Sequence, residues 1–344
     1  MNRFFSPALA IDLGTANTLV YMKGKGILLR EPSVVAMKSN KKDVLAVGVE
    51  AKRMIGRTPG SIIAVRPLKD GVIADYDTTE IMLKYFIKKA SLNKLPFRIN
   101  PKVLICVPCG ITEVEKKAVE EAARSAGARE AYLIEEPMAA AIGAGLSVYE
   151  AKGSMIVDVG GGTTEVAIIS LGGIVNAKSL RVGGNHMDEA IVEFIKEKHN
   201  MVVGETTAEQ IKMKIGAAFN MGKNEEMEIR GRNLVHGMPC SINICSNDIS
   251  EALIEPCKKI VLAIKQVLEQ TPPELSADII KQGITLSGGG ARLAGLNRLV
   301  AKETGMPVML AQEPCDAVVN GAGIALEELD KNKSLYGLTM QEQV

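Results

Sequence analysis

Tryptophan is absent from this 344-residue chain, and aromatic residues together make up only 3% of it. Proteins that hold single-stranded nucleic acid stack bases on aromatic side chains, and proteins that grip duplexes carry a basic excess. Here 41 Lys and Arg face 40 Asp and Glu, a formal net charge of +1, so nucleic acid is excluded as a partner. Long hydrophobic runs are missing too: none approaches the ~20 residues of a membrane-spanning helix. Residues 1–10 are too short, and too interrupted by Pro7, for a signal peptide. Six scattered cysteines read as reduced thiols of a cytosolic chain. Cys106 and Cys109 form a CxxC, but at the end of an apolar strand, with no second pair to complete a zinc or redox site, so they read as packing residues. His186 and His199 lack partners at metal-ligand spacing and read as ordinary helix residues. Neither GxxxxGK[ST] nor a helix-opening GxGxxG is present, which disfavours P-loop and Rossmann enzymes.

What the chain does have is glycine placed between apolar strands. Residues 155–169 are two apolar strands joined by Gly160, Gly161, Gly162, Thr163 and Thr164. Consecutive glycines let backbone N–H groups converge on an anion, and the hydroxyls of Thr163 and Thr164 are expected to add donors. Asp158 at the mouth of this turn would repel a phosphate unless a divalent cation lay between them, so the site asks for a magnesium nucleotide. The same pattern occurs at 11–21, with Asp12, Gly14, Thr15, Ala16, Asn17 and Thr18. A duplicated chain with two cradles gripping one polyphosphate from opposite sides is the expectation, and its length also calls for two domains. A third strand-to-glycine turn lies at 287–291.

The rest of the pattern alternates strands and helices, which gives an α/β fold with covered sheets. Each cradle opens a β-meander. In the segment 31–66 two short strands and a helix near 49–55 are expected. A helix over 77–91, a buried strand 103–107, a helix capped by Thr112 and Glu115 and ending at Gly127, and a strand 131–134 follow. Pro137 suits the first turn of a helix beginning at Glu136. In the second half, helices are expected from 183 to 199, from a cap at Thr207 through Phe219, from 249 to 270, and from about 293. Turns are expected at Gly231 and Gly237, and Thr271-Pro272-Pro273 reads as a helix stop followed by the strand 283–286.

The stretches Asp12-Leu-Gly-Thr-Ala-Asn-Thr, Glu135-Glu-Pro-Met-Ala-Ala-Ala, Asp158-Val-Gly-Gly-Gly-Thr-Thr-Glu and Leu286-Ser-Gly-Gly-Gly-Ala resemble the phosphate, connecting and adenosine motifs of the actin, Hsp70 and sugar-kinase ATPase superfamily. Within it, residues 8 to about 330 resemble the bacterial actin homologues of the MreB family, including Glu31-Pro-Ser-Val-Val and Thr271-Pro-Pro-Glu-Leu. The resemblance implies a duplicated actin-like fold: two domains, each a mixed sheet flanked by helices and carrying a small insert. Residues 1–30 and 67–145 would form the first domain, joined by a C-terminal helix over 316–335, with 31–66 as its insert. Residues 146–180 and 245–315 would form the second, with 181–244 as its insert.

It further implies ATP or ADP with Mg²⁺ as cofactors. Gly14, Thr15, Ala16 and Asn17 would hold phosphates from one side, and Gly160, Gly161, Gly162 and Thr163 from the other. Asp12 and Asp158 would hold the metal through its waters. Glu136 would position the attacking water, with Asp12, Asp158 and Thr163 completing the catalytic set; a dipole-stabilising acid at a helix start is the plainer reading of Glu136. Glu209 and Lys212, one helical turn apart, would reach ribose and adenine, with a surface ion pair as the alternative. Gly288, Gly289, Gly290 and Ala291 would line the base. The first cradle has no lysine, unlike its Hsp70 and actin counterparts, which suits slow turnover.

The implied function is an actin-like ATPase that assembles with itself into paired filaments at the inner face of the cytoplasmic membrane, directing cell-wall synthesis and rod shape with cell-elongation morphogenesis proteins. Phe4, Phe5, Leu95 and Phe97, set beside basic residues, are the expected membrane contacts, with a disordered terminus and an inward-packed loop as the alternatives. An Hsp70-like chaperone would need a substrate domain beyond Asp330, and a small-molecule kinase would need an acceptor pocket that the inserts do not suggest.

Overall fold

Two short apolar strands, Ala8–Leu13 (β1) and Ser154–Val159 (β11), each become the central strand of a five-stranded sheet. The computed structural model describes residues 7–40, 43–91, 100–222 and 224–328. In the first sheet β1 runs antiparallel to Asn17–Met22 (β2), which pairs with Gly26–Pro32 (β3). After β3 come Val35–Lys38 (β4), Val44–Val47 (β5), Val49–Met54 (α1) and Ile62–Val65 (β6), a three-stranded sheet with one helix. The strand β6 is additional to the two expected there, because Pro59-Gly60 precedes a third strand rather than closing the segment. Leu68–Lys69 (β7) and Val72–Ile73 (β8) make a tight hairpin turning at Asp70 and Gly71, both with positive φ. Tyr76–Ser91 (α2), Lys102–Val107 (β9), Glu113–Ser125 (α3), Glu130–Glu135 (β10) and Glu136–Gly143 (α4) complete the half. On the other side of β1, β9 and β10 are parallel.

The second half repeats this plan. From β11 the chain passes to Thr164–Ser170 (β12) and Gly173–Leu180 (β13), again an antiparallel meander. Gly184–His199 (α5), Met201–Val202 (β14), Glu205–Ile215 (α6), Glu226–Asn233 (β15) and Pro239–Cys245 (β16) follow. Then come Ser246–Glu269 (α7), Pro273–Gln282 (α8), Ile284–Ser287 (β17), Leu296–Thr304 (α9), Val308–Leu310 (β18) and Ala317–Glu328 (α10). The strand β11 has β17 and then β18 parallel on its other side, as β1 has β9 and β10, so the duplication extends from motif to sheet topology.

Four expected details shift. Helix α6 starts at Glu205 rather than at a Thr207 cap and ends before Phe219. Gly231 lies inside β15, where the absence of a Cβ admits the carbonyl of Val202, so it is not a turn. Pro272-Pro273 ends one helix but also starts α8, since proline fits a first turn whose N–H groups have no partner inside the helix. The last glycine turn passes through a short 3-10 turn, Gly290–Arg292, before its helix begins at Leu296 rather than 293.

Strand alternation sets the site. Leu9, Ile11 and Leu13 pack outward under α2 and α3, while Ala10 turns the other way, into a core shared by both sheets. Likewise Met155, Val157 and Val159 face the second core and Ile156 the shared one. Asp12 and Asp158, in step with Ala10 and Ile156, therefore both point into the layer between the sheets. Helices α4 and α10 fill that layer, and they cross backbone to backbone: a Cβ added to Gly321 would lie 1.8 Å from the Ala139 carbonyl oxygen, and one on Gly143 would lie 1.9 Å from that of Ala317. Gly321→Ala is expected to force the helices apart and cost about 1–3 kcal/mol. A calorimetric melting temperature equal to that of the wild type would contradict this crossing.

Candidate functional site

The edge of the shared layer carries a row of polar groups across four strands of the second sheet. Register places Ser287 beside Asp158, Asp158 beside Glu165, and Glu165 beside Ser179. Ser287 Oγ donates to Asp158 at 2.6 Å, and Ser179 Oγ donates to Glu165 at 2.6 Å. In the first sheet Asp12 stands beside Cys106 and Leu19.

Burial raises the Asp12 carboxyl to about 7, helped by the charges of Asp158 and Asp316. Burial likewise raises Asp158 to about 6, against the opposing effect of the Ser287 hydrogen bond. Glu136, the first residue of α4 and 8% exposed, is raised well above its usual range, first by burial and then by the charges of Glu165, Asp12 and Asp158. Four carboxylates thus crowd one space, each disfavoured as an anion there, and a cation would relieve all of them. Among the described residues no group of three or more His, Cys, Asp or Glu could hold a metal by protein ligands alone. That donor set fits magnesium, which keeps most of its waters and takes one or two carboxylates.

Above these acids the two cradle loops face each other at contact distance. A Cβ on Gly161 would lie 2.5 Å from the Cβ of Ala16, and one on Gly162 would lie 2.6 Å from Thr15 Oγ1. Glycine is required here by the approach of the opposite loop rather than by a positive φ. Each loop is braced from behind. Ser33 Oγ donates to the Gly14 carbonyl at 2.6 Å, and Thr15 Oγ1 accepts from the Gly71 N–H at 3.0 Å. Gly184 and Asn185 N–H donate to the carbonyls of Gly160 and Gly161. Thr164 differs from the sequence expectation: its hydroxyl is fully buried and donates to the Val182 carbonyl at 2.7 Å, leaving Thr163 as the hydroxyl near the cleft.

The third glycine turn packs against the end of β11. Gly288 has φ +83, and a Cβ there would lie 2.3 Å from the Val159 carbonyl oxygen; Gly290 meets the Val159 side chain, while Gly289 faces open space. The side chain of Ala291 belongs to the second core. Glu209 and Lys212 do not pair with each other. Lys212 Nζ lies 2.9 Å from Asp188 and donates to the Gly184 carbonyl at 2.7 Å, while Glu209 reaches across to Lys52 on α1 at 2.7 Å. Arg66 and Glu205 make a second link at 3.2 Å. His186, read from sequence as an ordinary helix residue, stands at this junction: Nδ1 accepts from the Gly183 N–H, and Nε2 lies 3.6 Å from Asp70. Burial raises Asp188 to about 6, opposed by Lys212.

Glu165 is the site residue that sequence reading missed as such. A signal was available, since it is the single charge in the otherwise apolar and hydroxyl-bearing strand β12 and falls on the inward face. Phe4, Phe5, Leu95 and Phe97 lie outside the described residues.

The model of the MreB/Mbl protein family matches residues 6–334. The cell shape-determining protein MreB of Escherichia coli strain K12 is 55% identical over 330 residues, which are 95% of each chain. Crystal structures of MreB5 of Spiroplasma citri, one bound to AMPPNP and one to ADP, superpose with a TM-score of 0.89 at 36% identity, covering 95% of this chain and 98% and 99% of theirs. These likenesses span the cradles, the acids and both halves together.

Proposed function

The chain belongs to the MreB/Mbl family, has the actin-like fold, and on that premise we propose that it is an actin-like cytoskeletal ATPase whose two halves close on Mg-ATP. The observation that carries this reading is the contact of Gly161 and Gly162 with Ala16 and Thr15 directly over half-buried Asp12 and buried Asp158. Backbone N–H groups of 14–17 and 160–163 would bind the phosphates from both sides, where low dielectric strengthens each bond. Asp12 and Asp158 would hold magnesium through its waters; when bound, the ion neutralises phosphate charge and polarises the terminal phosphoryl group. Glu136 would position a water lined up on that phosphoryl group and take its proton, and Thr163 would help orient it. Glu209, Lys212 and the glycines 288–290 would border ribose and base.

The division into domains 1–30 with 67–145 and 146–180 with 245–315, and inserts 31–66 and 181–244, belongs to the same proposal, as does α10 riding with the first domain. Closure would set the shape that one copy offers the next, and head-to-tail contacts give an open polymer. Among the described residues no helix is long and apolar enough to cross a membrane, so a filament at the inner membrane face would rest on surface contact through Phe4, Phe5, Leu95 and Phe97. Family membership favours this role in cell shape, with wall-elongation proteins as partners, over a chaperone or a small-molecule kinase. Electron microscopy of the purified protein with Mg-ATP and anionic vesicles tests it. Vesicle-bound filaments with phosphate release are expected; a monomeric protein that phosphorylates an added acceptor would overturn it.

The links across the cleft mouth carry a smaller prediction. Lys52 and Glu209 are each about one-third exposed, at 31% and 34%, so their pair contributes at most about 1 kcal/mol. Lys52→Ala is expected to speed release of a fluorescent ATP analogue by about two- to five-fold at low salt, with the difference disappearing at about 0.5 M salt. A salt-independent change in stopped flow would mean that the pair does not hold the cleft.

A further inference from the structure

Glu165 is fully buried, and its carboxylate takes three donors from two different halves of the molecule. Ser179 Oγ, on the neighbouring strand, donates to Oε1. From the other half, Cys109 donates twice to Oε2, by its N–H at 3.2 Å and by Sγ at 2.7 Å. Burial pushes the Cys109 thiol up, so it stays protonated and remains a donor. Burying a carboxylate costs free energy unless its oxygens are filled, and here both are.

The repeat gives a test of need. In the first half the strand position facing Asp12, as Glu165 faces Asp158, is taken by Leu19, also buried. A leucine therefore satisfies the sheet at this position, and the carboxylate at 165 answers to something other than folding. Its grip leads to Glu136 in three short steps. Cys109 lies two residues beyond Val107, the last residue of β9. Val107 stands in register with Glu135 at the end of β10. Glu136 is the next residue. The hairpin between β7 and β8 seals the same corner, since a Cβ on Gly71 would lie 2.8 Å from Pro108 and 2.9 Å from Thr163.

We propose that Glu165 is a positioning residue for hydrolysis: by clasping Cys109 across the cleft it ties the second sheet to the strand end from which Glu136 projects, so that closure of the halves and placement of Glu136 are one event. The inference rests on the ATPase reading above. When the halves part, the clasp breaks and Glu136 is released from its place beneath the cradles.

The test uses the full chain with Glu165→Gln, Cys109→Ala and Cys109→Ser. Glu165→Gln replaces one acceptor oxygen by a donor at equal size, and is expected to lower kcat at least about ten-fold while ATP affinity stays within about two-fold. Cys109→Ala, which removes the thiol donor, lowers kcat in the same direction, and Cys109→Ser, whose hydroxyl donates to the same oxygen, restores it. The Glu165→Gln, Cys109→Ala double variant is expected to be no slower than Glu165→Gln alone. A second readout needs no hydrolysis: alkylation of Cys109, followed by peptide mapping, is expected to be slowed by Mg-AMPPNP in the wild type and not in Glu165→Gln. Wild-type kcat in Glu165→Gln, a loss of kcat matched by a loss of affinity, or equal protection of Cys109 in both proteins would overturn the proposal. Absence of phosphate release from the wild type would instead count against the ATPase reading, with alkylation still deciding the clasp.

Discussion

Replacing Glu136 by alanine is expected to slow phosphate release by about 10²–10³-fold while leaving ATP affinity within about two-fold. The split follows from where the side chain stands. Glu136 opens α4 from the floor of the cleft, buried, and faces the charges of Glu165, Asp12 and Asp158. A carboxylate so placed contributes little to holding an anion. On the proposed reading it would instead position the attacking water, in a place where burial first, and then the neighbouring negative charges, raise its affinity for a proton. Single-turnover phosphate release beside equilibrium nucleotide binding checks the split. Unchanged release would remove Glu136 from its role and favour the plainer reading of an acid stabilising a helix start.

Gly161→Val is expected to act on the opposite quantity, weakening Mg-ATP binding by about 100-fold or more. The first atom of any side chain at 161 would lie 2.5 Å from the Cβ of Ala16 and 3.1 Å from its amide nitrogen. Neither neighbour is the end of a flexible side chain, so the two cradles must separate, and phosphates held from both sides would lose one set of donors. Gly161 lies in a loop at the cleft, outside the three large cores, so the melting temperature should change little. Gly60→Ala, with open space where its Cβ would be, is the control. Unaltered nucleotide affinity in Gly161→Val would mean that the phosphates do not sit between these loops.

Much of this was legible in the sequence because the informative signals are local. A strand, a glycine turn and a returning strand need only about fifteen neighbouring residues, and their repetition at 11–21 and 155–169 announced two matching sheets. The cap of α3 was equally readable, since Thr112 and Glu115 bond to each other's backbone within one turn. What escaped was either ambiguous locally or distant in the chain. Pro272-Pro273 signals a helix end and a helix start with the same residues, and only the second reading yields α8. Gly231 resembles a turn until the carbonyl of Val202 is brought against it. Glu165, Cys109, His186 and Lys52 acquire their partners in the opposite half only when segments separated by 50 or more residues fold against each other, and no spacing rule carries that distance.

The same division explains why Thr164 misled. Its hydroxyl stands in a phosphate-binding sequence, but strand alternation turns it inward toward Val182, while Thr163, one residue earlier, remains by the cleft. Period-two geometry, applied to the last residue of the loop as well as to the strand, would have separated the two.

A crystal structure of the protein with Mg²⁺ and AMPPNP measures the central relation directly. The account requires the phosphate oxygens to lie within about 3 Å of backbone N–H groups from both 14–17 and 160–163, with the metal between them and Asp12 and Asp158. Phosphates bound by one loop alone, or a nucleotide seated away from the shared edge of the two sheets, would contradict it.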